Sequence, residues 1–362
     1  MRRRIVIVYN DPTLSYCRGR VEEKSVLDII SSVKAVHKAL LELDYDVTLF
    51  SLIPPFSEAR KRLEVLHADV VFNLFEGFCD QPETEAMVAS ELSELGFTYT
   101  GCRPKVLKLA LDKARVKQIL KQAGFKTPDF QVLTPETLDT FNLSFPCIVK
   151  PRADDASNGI TEDSLVNDLP SLEKQVQSVS KSYRGGALVE RFVDGREFNA
   201  TAMGSTQIQV LPASEIRYSL EPDIPQILTY EAKWETESPY YKGTKNVCPA
   251  KISQRGLREI TDTVRSVFEL IISTGYARVD MRMDEAGNIN IIEVNPNPDI
   301  SPDAGAALQA KAAGMSYAEF IGKIVDIALE RDHNGAENPP DDRGGPGFAA
   351  ADTGKHSRIQ TN

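Results

Sequence analysis

The sequence predicts an α/β protein whose first hundred residues form a parallel sheet and whose remainder is mixed α+β. Three observations lead there. Short apolar runs alternate with stretches of helical periodicity over the N-terminal part, the pattern of strands joined by helical crossovers. Beyond Pro104 the texture changes, and turn dipeptides such as Asp194-Gly195 separate strand-like runs directly. Finally, 362 residues of ordinary globular composition suffice for two or three hydrophobic cores.

Taken in order, the start MRRRIVIVYN is basic and then apolar. Its apolar run is too short for a signal peptide and Asn10-Asp11-Pro12 breaks it, so residues 5–9 read as a first strand. A helix is expected over 26–43, strands over 46–50 and 69–75, a helix over 84–95 and a short strand over 98–100. A lysine-rich amphipathic helix over 105–123 follows, with Gly124 as its C-cap and Pro128 beyond. Strands at 130–133 and 147–150, a polar loop, a helix near 169–180 and a strand over 187–193 come next. Asp194-Gly195 then reads as a hairpin turn. The C-terminal part holds a helix over 254–273, a second hairpin over 276–298, and helices near 305–313 and 317–330. After Arg331 the chain is rich in Gly, Pro and charge, the composition of a disordered tail.

Composition excludes several classes. A net charge of −10 argues against non-specific nucleic-acid binding. Five scattered cysteines without a CxxC motif read as reduced thiols of a cytoplasmic protein. No segment has the length of a membrane span. GxSxG, HExxH and kinase motifs are missing, as is a GxGxxG after the first strand.

The chemistry concentrates in YARVDMRMDEAGNINIIEVNPNP, residues 276–298. In strands, side chains two apart share a face, so Arg278 and Asp280 project together, as do Glu293 and Asn295. A two-residue turn at Ala286-Gly287 sets Asp280 opposite Glu293. Two carboxylates and an amide there offer the oxygen donors that Mg²⁺ takes beside a phosphate; the alternative is a solvated face with an ordinary ion pair. Lys150 ends a strand before a loop with Ser157, Asn158 and Gly159, whose N–H groups can converge on an anion. The backbone of Glu190–Val193 can run along an adenine, with Glu190 and Glu197 available to a ribose or metal. The alternative there is a plain hairpin with exposed acids. Lys233 lies in an aperiodic run suited to a lid, or to an inert surface loop.

Together FNLFEG, YTG, LDKARVKQIL, FPCIVKP, VERFVDGREF, YEAKW, ARVDMR, EVNPNP and AAGMSY resemble, in order, the ATP-grasp superfamily and within it the D-alanine–D-alanine ligases. The resemblance implies an N-terminal α/β domain (1–103), two ATP-grasp subdomains (104–190 and 191–330) whose antiparallel sheets sandwich ATP, and a tail (331–362). It implies that Lys113, Lys150 and Lys233 contact phosphates, with Lys150 also near the adenine, and that the loop carrying Ser157 and Gly159 closes over the β-phosphate. Glu190 and Val193 would grip the nucleoside and Glu197 the ribose. Asp280, Glu293 and Asn295 would bind two Mg²⁺ ions, Mn²⁺ being an alternative. Arg278 would stabilise an acyl phosphate and the tetrahedral intermediate, and Glu23 is the best candidate for the first substrate's amino group. The implied reaction forms an amide from a carboxylate and an amine on small amino-acid or peptide substrates. Dimers are common among such proteins, so a homodimer is an open expectation.

Departures fall in the substrate half. A Ser-Ser pair of the family's phosphate loop and a tyrosine after the lid lysine are here represented by Ala156 and Trp234. Asp299 stands at a family glycine, and Ala304-Gly305 stand where a Ser-Leu pair holds the second substrate's carboxylate. Three functions stay open: a ligase with altered substrates, a D-alanine–D-alanine ligase, and a catalytically silent nucleotide-binding regulator.

Overall fold

In a computed structural model the described residues are 2–11, 23–78, 81–154, 157–183 and 185–337, and the side chains of 23–28 and 334–337 also fall outside the description. In the first sheet the strands at 4–10 and 70–74 are near-continuous apolar runs because both of their faces are covered, whereas the edge strand at 46–52 is only partly buried. Strand β1 (Arg4–Asn10), helix α1 (Glu23–Glu42), β2 (Asp46–Leu52), α2 (Phe56–Glu64), β3 (Val70–Leu74) and α3 (Glu83–Glu94) build it in the order β2-β1-β3, all parallel. The strand expected at 98–100 is reduced to one parallel bridge between Tyr99 and Val71.

The expected single helix over 105–123 is two: α4 (Pro104–Ala110) and α5 (Lys113–Gln122). Asp112 leaves helical geometry (φ −108°, ψ 87°), and its carboxylate accepts the Arg115 N–H as an N-cap. The break sets Lys113 at the first turn of α5. Strands β4 (Phe130–Leu133), β5 (Cys147–Pro151), β6 (Leu165–Val166), helix α6 (Leu169–Ser182) and β7 (Ala187–Arg191) form a four-stranded antiparallel sheet, β4-β7-β5-β6.

Asp194-Gly195 does not close a hairpin. Strand β8 (Arg196–Gly204) leaves β7 and enters a different sheet. Gly195 has φ +132°, and a Cβ there would lie 2.1 Å from the Met283 carbonyl oxygen, so the connector admits no side chain. With β9 (Ile208–Val210), β10 (Ser214–Tyr218), α7 (Tyr230–Trp234), α8 (Pro239–Gly243), β11 (Thr244–Val247), α9 (Gln254–Val267), β12 (Gly275–Met283) and β13 (Ile289–Asn295), β8 makes a six-stranded sheet. Its order is β11-β10-β8-β12-β13, with β9 on β8. Helix α9 ends in a π-helical turn, Phe268–Ile272. The chain closes with α10 (Gly305–Ala312) and α11 (Tyr317–Glu337). Helix α11 runs past the expected start of the tail: Arg331 is 6% exposed and donates to the carbonyls of Tyr99 and Gly101. The tail from 338 onward lies outside the described residues.

The first and last sheets share two cores. Val6 and Phe75 pack with Phe198 and Ile260, and Ile7 and Leu40 with Met203 and Ile324. The middle sheet has its own, around Cys147, Val189 and Leu172. Among the described residues no helix is long and apolar enough to cross a membrane.

Candidate active site

A cleft of about 1450 Å³ opens between the four-stranded and six-stranded sheets, and every site residue expected from the sequence lines it, except Glu23 and Gly159. Glu23 begins α1, but its side chain lies outside the described residues.

Three charged groups converge on the middle-sheet side. Glu190 on β7 is 1% exposed, and burial without partners would be costly for a carboxylate. Lys150 on the adjacent strand approaches its Oε2 to 3.0 Å. Lys117 approaches Oε1 to 3.1 Å, a charge contact rather than a directed hydrogen bond, since Oε1 has no hydrogen-bond partner. The Lys117 ammonium instead donates to Thr127 Oγ1 at 2.9 Å. Burial pushes Lys117 down to about 8, against the pull of Glu190. Lys117 is not among the site residues expected from the sequence. Its signal was its place four residues after Lys113, on the same helix face.

Lys113 reaches across the cleft. Its ammonium donates to the Asp154 carbonyl at 2.6 Å and meets Glu293 Oε1 of the opposite sheet at 3.0 Å. Beneath it, Arg152 grips the Asp112 cap with two N–H groups, and these with the Arg115 amide outweigh burial and lower the Asp112 pKa. The loop after β5 is a tight turn. Ser157 has a left-handed φ of 62°, Gly159 has φ +70°, and Ile160 N–H donates to the Ser157 carbonyl at 3.0 Å. A Cβ on Gly159 would come within 2.8 Å of Tyr183 and Pro151. Ala156 lies outside the described residues.

On the facing sheet, Asp280 pairs with Glu293 and Arg278 with Asn295. The expected pairing is thus present, but by another route. The turn is longer than two residues, since Met283 pairs with Ile289 and Asp284 N–H donates to the Asn288 carbonyl at 3.0 Å. A bulge at Ile292 then restores the register. Continued from Arg282↔Asn290 without it, the ladder would turn Ile292 and Val294 toward the cleft partners in place of Glu293 and Asn295.

Arg278 holds Asp280 in a bidentate pair, 2.6 and 2.9 Å. Burial opposes its charge, but Asp280, Glu293 and Asp299 keep the guanidinium more firmly protonated than usual. Asn295 Oδ1 accepts the Asn297 N–H at 2.8 Å. Among the described residues no group of three or more His, Cys, Asp or Glu gathers as a metal cage. Two carboxylates and an amide oxygen nevertheless have the hard-donor chemistry of a Mg²⁺ site shared with phosphate. Here cations hold both carboxylates: Arg278 on Asp280 and Lys113 on Glu293.

Lys233 belongs to α7, a short helix where a loop was expected. Thr229 caps that helix, and Tyr230 N–H donates to the Ile160 carbonyl at 3.0 Å, fastening this segment to the end of the Ser157 turn. Trp234, Asp299, Asp303, Ala304 and Gly305 line the remaining wall. Asp299 and Asp303 are exposed, and Asp299 Oδ1 accepts from the Ser301 amide (2.8 Å) and hydroxyl (2.7 Å).

The model of the family D-ala D-ala ligase C-terminus matches residues 119–326. The chain belongs to this family. An uncharacterised protein of Sinorhizobium fredii, y4sG, is 32% identical over 326 residues, 89% of this chain and 91% of its own length. A D-alanine–D-alanine ligase of Mannheimia succiniciproducens is 26% identical over 308 residues, 83% of this chain and 92% of its own. The crystal structure of the D-alanine–D-alanine ligase from Bacillus anthracis complexed with ATP superposes with a TM-score of 0.71 at 20% identity, covering 92% of this chain and 99% of that one. The ATP-grasp fold expected from the sequence is therefore the fold observed. As a member of the D-Ala D-Ala ligase family the protein is an ATP-grasp enzyme that forms carbon–nitrogen bonds. The family match begins at residue 119, beyond both Lys113 and Lys117; Lys113 enters the site on the sequence resemblance and its geometry, Lys117 on geometry alone.

Proposed function

We propose that this protein uses ATP to join a carboxylate to an amine through an acyl phosphate, on amino-acid or short-peptide substrates other than two D-alanines. The observation that carries the reading is the pairing of Asp280 with Glu293 beside Arg278, facing Lys113 across one cleft. In it the adenine lies along Glu190–Val193 and the ribose meets Glu197. Lys113, Lys150, Lys233 and the amides around Ser157 and Gly159 receive the phosphates. Asp280, Glu293 and Asn295 would hold two Mg²⁺ ions, or Mn²⁺ in their place, once Arg278 and Lys113 turn from the carboxylates toward substrate. Bound there, the metal would offset phosphate charge.

The donor carboxylate oxygen attacks the γ-phosphorus, the bond to the β–γ bridging oxygen breaks, and ADP leaves. The amine then attacks the acyl carbon, phosphate departs with the C–O electrons, and the nitrogen loses a proton. Phosphoryl transfer asks a protein mainly for position and charge, which three lysines and an arginine supply. Turned from Asp280, Arg278 frees the two N–H donors it spends there and offers them to the developing oxyanion. No nucleophilic side chain is required.

The substrate end motivates the departure from D-alanine. Trp234, Asp299 and Ala304-Gly305 line the wall where the resemblance calls for a tyrosine, a glycine and a Ser-Leu pair. An acceptor carboxylate meets a different set of partners there. The boundaries 1–103, 104–190 and 191–330 go with this reading, as does a cytoplasmic setting that supplies ATP.

Phosphate release from Mg-ATP, screened against pairs of D- and L-amino acids and short peptides, tests it. Release only with substrates other than D-alanine is the expected result. Release with D-alanine alone would restore the ordinary family substrate. Silence throughout, with ATP bound, would favour a nucleotide-binding regulator.

A further inference from the structure

Arg282 sits on β12 two residues beyond Asp280, faces the same cleft, and is 4% exposed. A buried guanidinium costs stability unless its donors are met, and here each of its three nitrogens finds an acceptor in a different part of the chain. Nε donates to Glu197 Oε2 at 3.1 Å, on β8. One terminal nitrogen donates to the Val193 carbonyl at 3.0 Å, in the connector between the two sheets. The other donates to the Gln226 carbonyl, in the segment leading to α7. The guanidinium carbon lies 4.6 Å from the centroid of the Phe192 ring.

Tyr218, on β10, donates its hydroxyl to the same Glu197 Oε2 at 2.9 Å. Burial and the adjacent Glu197 raise its pKa, so the phenol stays a donor. Both fixed donors therefore meet one oxygen of Glu197. Among the described residues Oε1 accepts no hydrogen bond, and Glu197 lines the cleft.

We propose that Arg282 and Tyr218 are positioning residues that lock the Glu197 carboxylate so that Oε1 alone is presented to the ribose hydroxyls of the nucleotide. Arg282 does more than orient one carboxylate. Through Val193 and Gln226 it fixes, with a single side chain, the connector beside the adenine and the approach to Lys233. Ribose recognition and lid placement thus share one anchor. The inference rests on the reading of the cleft as an ATP site.

The test compares binding of ATP and 2′,3′-dideoxy-ATP to the full chain by calorimetry, in wild type, Arg282→Met, Arg282→Lys and Tyr218→Phe. A charged hydrogen bond to a ribose hydroxyl predicts a wild-type preference for ATP of about ten- to a hundredfold. Arg282→Met is expected to remove at least tenfold of that preference, Tyr218→Phe severalfold, and Arg282→Lys to fall between Met and wild type. A purely structural role would weaken both nucleotides equally and leave their ratio unchanged, which overturns the inference. Tyr218→Phe removes a single hydroxyl and reads the same ratio if Arg282→Met does not fold. A wild type that binds both nucleotides alike also overturns the inference, whereas one that binds neither overturns the ATP reading itself.

Discussion

Glu190 and Glu197 are buried carboxylates, each held by two side chains from other elements, whereas Asp299 and Asp303 on the same cleft are exposed, and the hydrogen bonds to Asp299 come from its own turn. The difference has a physical cause. A carboxylate removed from water must be met by fixed donors, and once met it cannot turn to suit a new ligand. An exposed one keeps its hydration and can change its neighbour or its identity at little cost to the fold. Rigidity thus lies where the ligand is proposed to be the nucleotide. Freedom lies where the amino-acid substrates would bind.

The largest expected effect lies between those two regions, on the polar hairpin face. Arg278→Ala should lower the rate of phosphate release by about 10²–10³, the loss typical of a single oxyanion-stabilising donor. Glu293→Ala should abolish release while nucleotide still binds. Release that survives Glu293→Ala would sink the metal assignment and leave the face a structural ion-pair network.

Next in size is the buried end. Lys117→Met leaves Glu190 with Lys150 alone, and breaking a buried charge pair costs on the order of 3 kcal/mol. Urea unfolding should show that loss as a lower midpoint with an unchanged slope. A loss below half that size would mean Lys150 suffices, and the buried end would resemble the exposed one more than the geometry implies.

Much of this was legible from residue order, for reasons that differ by element. Period-two alternation placed Arg278, Asp280, Glu293 and Asn295 on strands, because a half-buried sheet face leaves that trace. The bulge at Ile292 left none, since an extra residue in a ladder is fixed by pairing with both neighbours. Asp194-Gly195 was a sound turn signal that misled. Dipeptide chemistry reports a change of direction, but not which sheet the next strand joins. Asp112 was legible in principle, as an N-cap residue inside a lysine-rich run, yet periodicity on either side masked the break. Arg282 could not be singled out, because its partners Val193, Glu197 and Gln226 lie far from it in sequence.

A smaller, directional effect follows from Lys117 titration. With burial holding its folded-state pKa at about 8 and its ordinary value at 10.5, the unfolded chain binds more protons at this lysine between those limits. Its contribution to stability therefore rises with pH through that window and is flat below it. Lys117→Met should remove this component, so the difference in stability between wild type and variant should widen from pH 7.5 to pH 10. A difference that narrows would reverse the assignment of burial as the dominant influence.

The smallest effect on stability belongs to Asp303→Asn, and it bears most directly on the substrate. Asp303 is exposed and immediately precedes Ala304, the N-cap of α10, so its charge favours the positive end of that helix. Neutralising it should cost no more than about 0.5 kcal/mol. That same helix end, lining the cleft, would otherwise attract an anion. With Asp303 charged, an acceptor carboxylate is repelled from the site that the helix offers it. Asp303→Asn should therefore lower KM for carboxylate-bearing acceptors and leave the affinity for ATP unchanged. If ATP affinity moves instead, Asp303 senses the phosphates, and the separation between a rigid nucleotide end and an adaptable substrate end fails at this residue.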